Sequence, residues 1–339
     1  MTPRKGHMAL CIQRRKFIVT LGGAAAVWPF AARAQQSPTK VPRIGWLVSG
    51  APPSYRFSLG AFRDGLKSLG YVEGQNVSIE YRWAEGNLAR LPELARDLVN
   101  QKVDVILAGG SVGAKVAKDA TSVIPIVVAG AGDLIEIGAA KSLARPGGNL
   151  TGFIANLPDM ATKRFQIMKE LMPSARRAAV LWNPTDPHAK VELNIAKEFA
   201  AANNIDISLH NAREREELTS ALASIPQSSP DILIVLTDPF MFTHRKIVAD
   251  AVGKLRLPAV YGYREYVDDG GMISYGASIS DTYRRAAGYV DKILNGVKPG
   301  DLPIQLPIKI ELIVNLKTAK MIGFALPDSF LLRADEVIE

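Results

Sequence analysis

From Val41 onward the chain alternates short runs rich in Val and Ile with amphipathic segments several helical turns long, and no other feature constrains its fold as strongly. Alternation of this kind reads as β-α units on parallel sheets. The apolar runs are nearly continuous, as strands covered on both faces should be. In the first half the pattern predicts strands over Arg43–Ser49, Val77–Arg82, Val103–Ala108, Ile124–Ala129 and Leu150–Ile154. Between them, Phe57, Ala61, Leu66 and Leu69 give one helical stripe, and Leu91, Leu94, Ala95, Leu98 and Val99 give another. After the polar stretch 156–159 a second series begins: helix 160–171, strand 178–182, helix 189–202, strand 206–210, helix 214–224, strand 232–236, helix 243–255 and strand 259–261. Two series of similar length imply two similar lobes. The tail departs from alternation, with a strand at 272–275, a helix at 281–294, a proline-rich connector at 296–307, a final strand at 310–314 and a helical turn at 316–322.

The first 34 residues stand apart. Arg14-Arg15-Lys16-Phe17-Ile18 precedes a short apolar run, and Ala32-Arg33-Ala34 offers a small-x-small cleavage site. These are the parts of a secretory signal of the twin-arginine type, cleaved after Ala34, which places the mature protein in the periplasm. The run from Phe17 to Ala32 contains two glycines and a proline, and it is shorter than the roughly 20 apolar residues of a membrane span. Six of the 41 basic residues and none of the 33 acidic ones lie in this segment, so the net charge of +8 belongs mostly to it. Nucleic-acid and anionic-membrane binding, which need a basic folded face, lose their support. The sole cysteine, Cys11, leaves with the signal, so the mature chain has neither a disulfide nor a thiol nucleophile.

In open α/β sheets ligands sit at the carboxyl ends of strands. In the first series those ends are Ser49-Gly50, Gly109-Gly110-Ser111 and Gly130-Ala131-Gly132-Asp133; in the second they are Asn183-Pro184, Thr237-Asp238-Pro239 and Tyr261-Gly262-Tyr263. Hydroxyls and amide N–H groups suit the anionic end of a small polar ligand, and Asp133 or Asp238 its cationic end. The same residue types also cap helices, so each has an ordinary structural reading beside the functional one. Among aromatics near strand ends, Trp182, Phe240, Tyr261, Tyr263 and Tyr275 could stack on an apolar ligand group. The expected ligand contacts are therefore Ser49, Gly50, Gly110, Ser111, Asp133, Asn156, Asn183, Thr237, Asp238, Tyr261 and Tyr275, the last as a lid contact.

Rival chemistry is thinner. Gly109-Gly110-Ser111-Val112-Gly113 satisfies G-x-S-x-G between a strand and a helix, the setting of a hydrolase nucleophile. An exported serine hydrolase using Ser111 would need an acid and then a late histidine, yet no histidine follows His244, and no H-G-G-G segment precedes the serine. The three histidines after the signal, His188, His210 and His244, are too scattered for a metal site. Gly130-Ala131-Gly132 lacks the third glycine of a dinucleotide fingerprint. No cofactor, metal or catalytic residue is expected.

Several longer motifs carry a resemblance. They are Gly70-Tyr71-Val72-Glu73-Gly74-Gln75-Asn76-Val77, Glu80 to Gly86 (EYRWAEG), Ser142 to Gly152 (SLARPGGNLTG), Ala179 to Pro184 (AVLWNP) and Asn315 to Lys320 (NLKTAK). Over most of the chain the sequence resembles the substrate-binding proteins of ABC importers, in the branch of the tryptophan- and aromatic-amino-acid-binding components. The resemblance implies an α/β type I periplasmic-binding-protein fold, two Rossmann-like lobes with parallel sheets joined by a three-segment hinge, the ligand between them. The crossings fall near Asn156, near Ser278 and around 302–307. Residues 41–156 with 279–303 then form one lobe, and 157–278 with 304–339 the other. Where members often have Asp-Pro-Val this chain has Asp133-Leu134-Ile135, and Gly-Gly-Ser-Val-Gly replaces a Thr-Pro loop. The implied role is a monomeric periplasmic receptor that captures an amino acid or related carboxylate, an aromatic one among the candidates, and passes it to an ABC permease. Service to a sensor kinase is the alternative partnership.

Overall fold

The computed structural model describes residues 41–339; the expected signal and its cleavage site lie outside the described residues. Five Val- and Ile-rich runs become β1 (Arg43–Val48), β2 (Ser78–Trp83), β3 (Val105–Gly109), β4 (Ile126–Ala131) and β5 (Leu150–Ile154), which pair in parallel in the order β2-β1-β3-β4-β5. β3 and β5 are buried along their whole length. Helices α1 (Arg56–Ser68), α2 (Leu91–Asn100) and α3 (Gly110–Ala120) connect the strands.

The second sheet holds β6 (Arg177–Trp182), β7 (Asp206–Asn211), β8 (Ile232–Val235), β9 (Ala259–Tyr261), β10 (Ile273–Ala277), β11 (Ile310–Asn315) and β12 (Glu336–Ile338), ordered β12-β11-β10-β9-β8-β6-β7. It departs from the all-parallel expectation at one pair, since β11 runs antiparallel to β10. The reason is topological: the chain leaves this sheet after β10 and returns from the other lobe, entering β11 from the opposite end. The helices that follow β5 are α4 (Pro158–Leu171), α5 (Pro187–Ala202), α6 (Arg215–Ser224), α7 (Pro239–Thr243), α8 (Arg245–Leu255), α9 (Arg264–Asp268), then α10 (Ile279–Leu294), α11 (Leu316–Ile322) and α12 (Asp328–Leu331). Of these, α10 packs on α1 and on β3, β4 and β5 of the first sheet.

The chain thus passes between the sheets at 155–157, at Ser278 and at 303–309. The third passage is tied to β5, with Ile154 N–H donating to Gln305 O and Gln305 N–H to Gly152 O, both at 2.9 Å.

The stripe expected on α1 is rotated. Ser58, Ala61, Phe62, Gly65 and Leu66 are buried, while Phe57 and Leu69 are exposed, because α10 rather than the sheet alone decides the inner face. The approach is close enough that a Cβ on Gly65 would lie 2.5 Å from the Arg284 carbonyl oxygen. Among the described residues no helix is long and apolar enough to cross a membrane.

Candidate functional site

Helix N-termini from both sheets meet at one small cavity with about 40 Å3 of room in the closed cleft. The two walls differ in electrical character. From the first sheet comes the start of α3, where Gly110 adopts φ +70° and no side chain caps the helix. Its first N–H groups carry the positive end of the helix dipole. Beside them the buried Ser111 Oγ accepts from Gly132 N–H at 2.9 Å, which leaves its own proton to donate.

The opposite wall is acidic. Asp186 caps α5 through Oδ1, accepting from Ala189 N–H at 3.0 Å, and Asp238 caps α7 through Oδ1, accepting from Phe240 and Met241 N–H at 2.7 and 3.1 Å. In each acid the second oxygen is buried and accepts no hydrogen bond from the described residues, although the Asn183 amide lies close enough to Asp238 to favour its charged form. Burial, with the Asp186 charge second, pushes the Asp238 carboxyl up to about 8. Burial likewise raises Asp186, against the Ala189 N–H that lowers it. An unpartnered buried carboxylate oxygen is costly, and a bound cation would satisfy both.

Behind this wall Thr237 is held from below. Its N–H and Oγ1 both donate to Glu192 Oε2, at 2.7 and 2.6 Å, and Glu192 pairs with Arg164 in a fully buried ion pair. Burial opposes the Glu192 charge, but Arg164, His188 and the Thr237 donors outweigh it and hold that carboxyl below its usual range. A Cβ on Gly262 would collide with Thr237 Cγ2, so glycine is what lets β9 approach here.

Aromatic rings form the rest of the lining. Tyr55 meets Phe242 edge to face at 5.6 Å, Phe242 meets Tyr263 at 5.3 Å, and Tyr283 of α10 stands 6.4 Å from Tyr55. The Tyr263 hydroxyl donates to Asn156 Oδ1 and accepts from its Nδ2, joining the first crossing to the second lobe. The lobes touch directly as well. Ser54 Oγ donates to Thr243 O and Arg245 Nη1 to Ser54 O, both at 3.1 Å, and a Cβ on Gly132 would lie 2.7 Å from His188 Nδ1. The cleft is shut.

Of the contacts expected from sequence, Gly110, Ser111, Asn156, Thr237 and Asp238 line the cavity. The others sit elsewhere, for physical reasons. Asp133 is exposed and spends Oδ1 on Ile135 and Glu136 N–H, closing its own turn. Tyr261 is buried in a stack on Tyr266, ring centroids 4.5 Å apart. Tyr275 packs into the second lobe's core, where its carbonyl accepts from Arg164. Asn183 is buried with Oδ1 engaged by Thr185, beside Asp238 but off the cavity wall. Ser49 and Gly50 stand behind Tyr55: Ser49 Oγ is 3.4 Å from its hydroxyl, and a Cβ on Gly50 would be 2.6 Å from its ring.

Residues not expected include Tyr55, Phe242, Ile279, Tyr283, Asp186 and His188. Asp186-Pro187 is a cap followed by proline, which marks a helix start; that signal was available. The aromatics had none, since they converge from three separate elements. The cavity also brings His188 and Asp186 to the wall facing Ser111, a grouping that chain order hides. No hydrogen bond joins Ser111 to His188 among the described residues, and Ser111 Oγ is engaged by Gly132 N–H. Nor does any group of three or more His, Cys, Asp or Glu among the described residues suit a metal ion.

Comparison with known proteins agrees with this architecture. A family model described as ABC transporter substrate binding protein matches residues 47–338. A tyrosine-binding protein of Clostridioides difficile (strain R20291) is 26% identical over 268 residues, spanning 79% of this chain and 77% of that protein. The structure of a conserved domain protein from Vibrio cholerae O1 biovar eltor superposes with a TM-score of 0.82 at 27% identity, covering 88% of this chain and 100% of that one. An ABC domain from Streptococcus pneumonia in complex with L-Trp superposes with a TM-score of 0.80 at 24% identity, covering 88% and 99%.

Proposed function

Since the chain belongs to the family of ABC transporter substrate-binding proteins, we propose that it captures an aromatic amino acid between its lobes and delivers it to a permease for import. The observation that carries this reading is the polarity of the cleft. One wall offers an uncapped helix start and the Ser111 hydroxyl, the other two acids with spare oxygens. A zwitterion matches both walls at once, carboxylate toward Gly110 and Ser111, ammonium toward Asp238 and Asp186. Tyr55, Phe242, Tyr263 and Tyr283 then receive its side chain. The tyrosine-binding relative and the L-Trp complex support the same ligand class. Because the charges of one ligand engage opposite walls, binding favours the closed cleft.

The protein works in the periplasm as a monomer, exported by its twin-arginine segment and cleaved after Ala34, and it catalyses nothing. The test is thermal unfolding of the purified, refolded protein with L-tryptophan, L-tyrosine and L-phenylalanine. At 100 times the dissociation constant a ligand adds about 2.7 kcal/mol, and each kcal/mol is worth ~2–4 °C for domains of this size, so one of the three raises the midpoint by several degrees. No shift with any of them, alongside a shift with a sugar, overturns the ligand class.

The grouping of Ser111, His188 and Asp186 favours one second reading, a serine hydrolase. Its discriminator is a fluorophosphonate: stoichiometric labelling of Ser111 would establish it, and an unmodified protein removes it.

A further inference from the structure

Asp186 and Asp238 both line the cavity, and each has a second carboxylate oxygen that is buried and accepts no hydrogen bond from the described residues. Both carboxyls sit at helix starts, so neither can turn away without uncapping α5 or α7. Two such buried carboxyls lining one pocket raise each other's affinity for a proton when nothing positive lies between them. We propose that Asp186 and Asp238 act as one acid pair that holds a single proton in the empty cleft and releases it to solvent when a ligand ammonium takes its place. The inference rests on the reading of the cleft as an amino-acid site, and adds to it a proton exchanged at every capture. The balance is simple: a carboxylic acid and carboxylate plus R–NH3+ give two carboxylates around the ammonium plus one H+ in the medium, with no bond to carbon made or broken.

The surroundings favour the exchange. From α5, His188 and Glu192 face Asp186; the Glu192 charge is answered by Arg164 of α4, which is thereby engaged. From the β9–α9 segment, Tyr263 and Tyr266 face Asp238 with un-ionised phenols, and Arg245 of α8 is taken by Asp269 at 2.9 Å. Across the cleft, the titratable side chains that line the cavity among the described residues are the phenols of Tyr55 and Tyr283. Among the described residues no Lys or Arg lines the cavity to neutralise the pair before the ligand arrives. With the cleft closed, burial holds the Asp238 carboxyl at about 8, so its proton is present at neutral pH.

The test is calorimetric titration with L-tryptophan at pH 7, in phosphate and in Tris, whose ionisation enthalpies differ. The parent protein is expected to release close to one proton per ligand bound, and its affinity to rise up to tenfold from pH 6 to pH 7, the limit for one linked proton. Asp186→Asn keeps the α5 cap and removes the charge that adds to burial at Asp238; it is expected to release less proton than the parent at pH 7. His188→Gln is expected to release as much as the parent, and loss of release in that variant would assign the proton to the imidazole instead. Equal binding heats in both buffers, with equal affinity at pH 6 and pH 7, overturn the proton exchange but leave the binding site standing. If L-tryptophan, L-tyrosine and L-phenylalanine all fail to bind at either pH, the site reading falls and the exchange falls with it.

Discussion

Asp238 does two jobs with two oxygens. One caps α7 and contributes to folding; the other is buried without a partner among the described residues, a state that costs stability. In an unfolded chain its carboxyl titrates near 3.9, whereas in the folded protein it stays protonated until about 8. The folded state therefore holds more protons between those values, and stability is lost as pH rises through that window. Glu265, buried with both oxygens unpartnered and pushed by burial to about 7, adds a slope of the same sign. The ligand-free thermal midpoint is expected to fall from pH 5 to pH 8. Asp238→Asn retains the cap, since Asn and Asp cap equally well, and is expected to be more stable than the parent at pH 8 by about 2–4 kcal/mol. Urea titrations at pH 5 and pH 8 decide it. A parent equally stable at both would mean that the second oxygen is solvated.

Long elements were legible in the sequence and short ones were not. Strands such as 150–154 and helices such as 281–294 run long enough for their periodicity to show. The five-residue helices α7 and α9 and the three-residue β12 are too brief to repeat any pattern. The consequence for the site is direct, because α7 carries Phe242 and Tyr263 stands immediately before α9. Strand ends marked in the sequence bring Gly110, Ser111, Thr237 and Asp238 to the same cavity. Asp133, like Asp238, accepts from the N–H groups two and three residues on, yet it is exposed where Asp238 is buried, which only the three-dimensional path of 133–140 decides. The rotated face of α1 was missed for a similar reason, since its partner α10 arrives from more than 200 residues away. That helix pair makes a sharp prediction at Gly65. Alanine there would gain about 1 kcal/mol of helix propensity, but its Cβ would press against the Arg284 carbonyl oxygen at 2.5 Å, an overpacking cost of about 1–3 kcal/mol. With backbone on the far side, packing wins. Gly65→Ala is expected to lower the urea midpoint, and an increase would show that α1 and α10 can slide apart freely.

At the scale of the whole molecule, three passages of chain allow the lobes to move, and a few contacts decide how far they close. Gly132 is the most discriminating of these. It stands on the first lobe with its Cα against His188 of the second, so that an added Cβ would lie 2.7 Å from His188 Nδ1 and 3.3 Å from its Cβ. The neighbour is not only the far end of a flexible side chain, so relief requires the lobes to separate. The Gly132 N–H that supports Ser111 Oγ is present in any non-proline residue, and the backbone here is not in the left-handed region reserved for glycine. Gly132→Val therefore leaves each lobe's own packing intact and penalises closure. If the overpacking of about 1–3 kcal/mol falls on the closed state alone, ligand affinity drops roughly 5- to 150-fold, while the ligand-free stability stays within about 0.5 kcal/mol of the parent. Small-angle scattering reads the cause: saturating ligand contracts the parent and contracts the variant less. A variant that binds as tightly and contracts as fully as the parent would show that His188 swings aside at no cost, and that closure is limited elsewhere, at the Ser54–Arg245 contact.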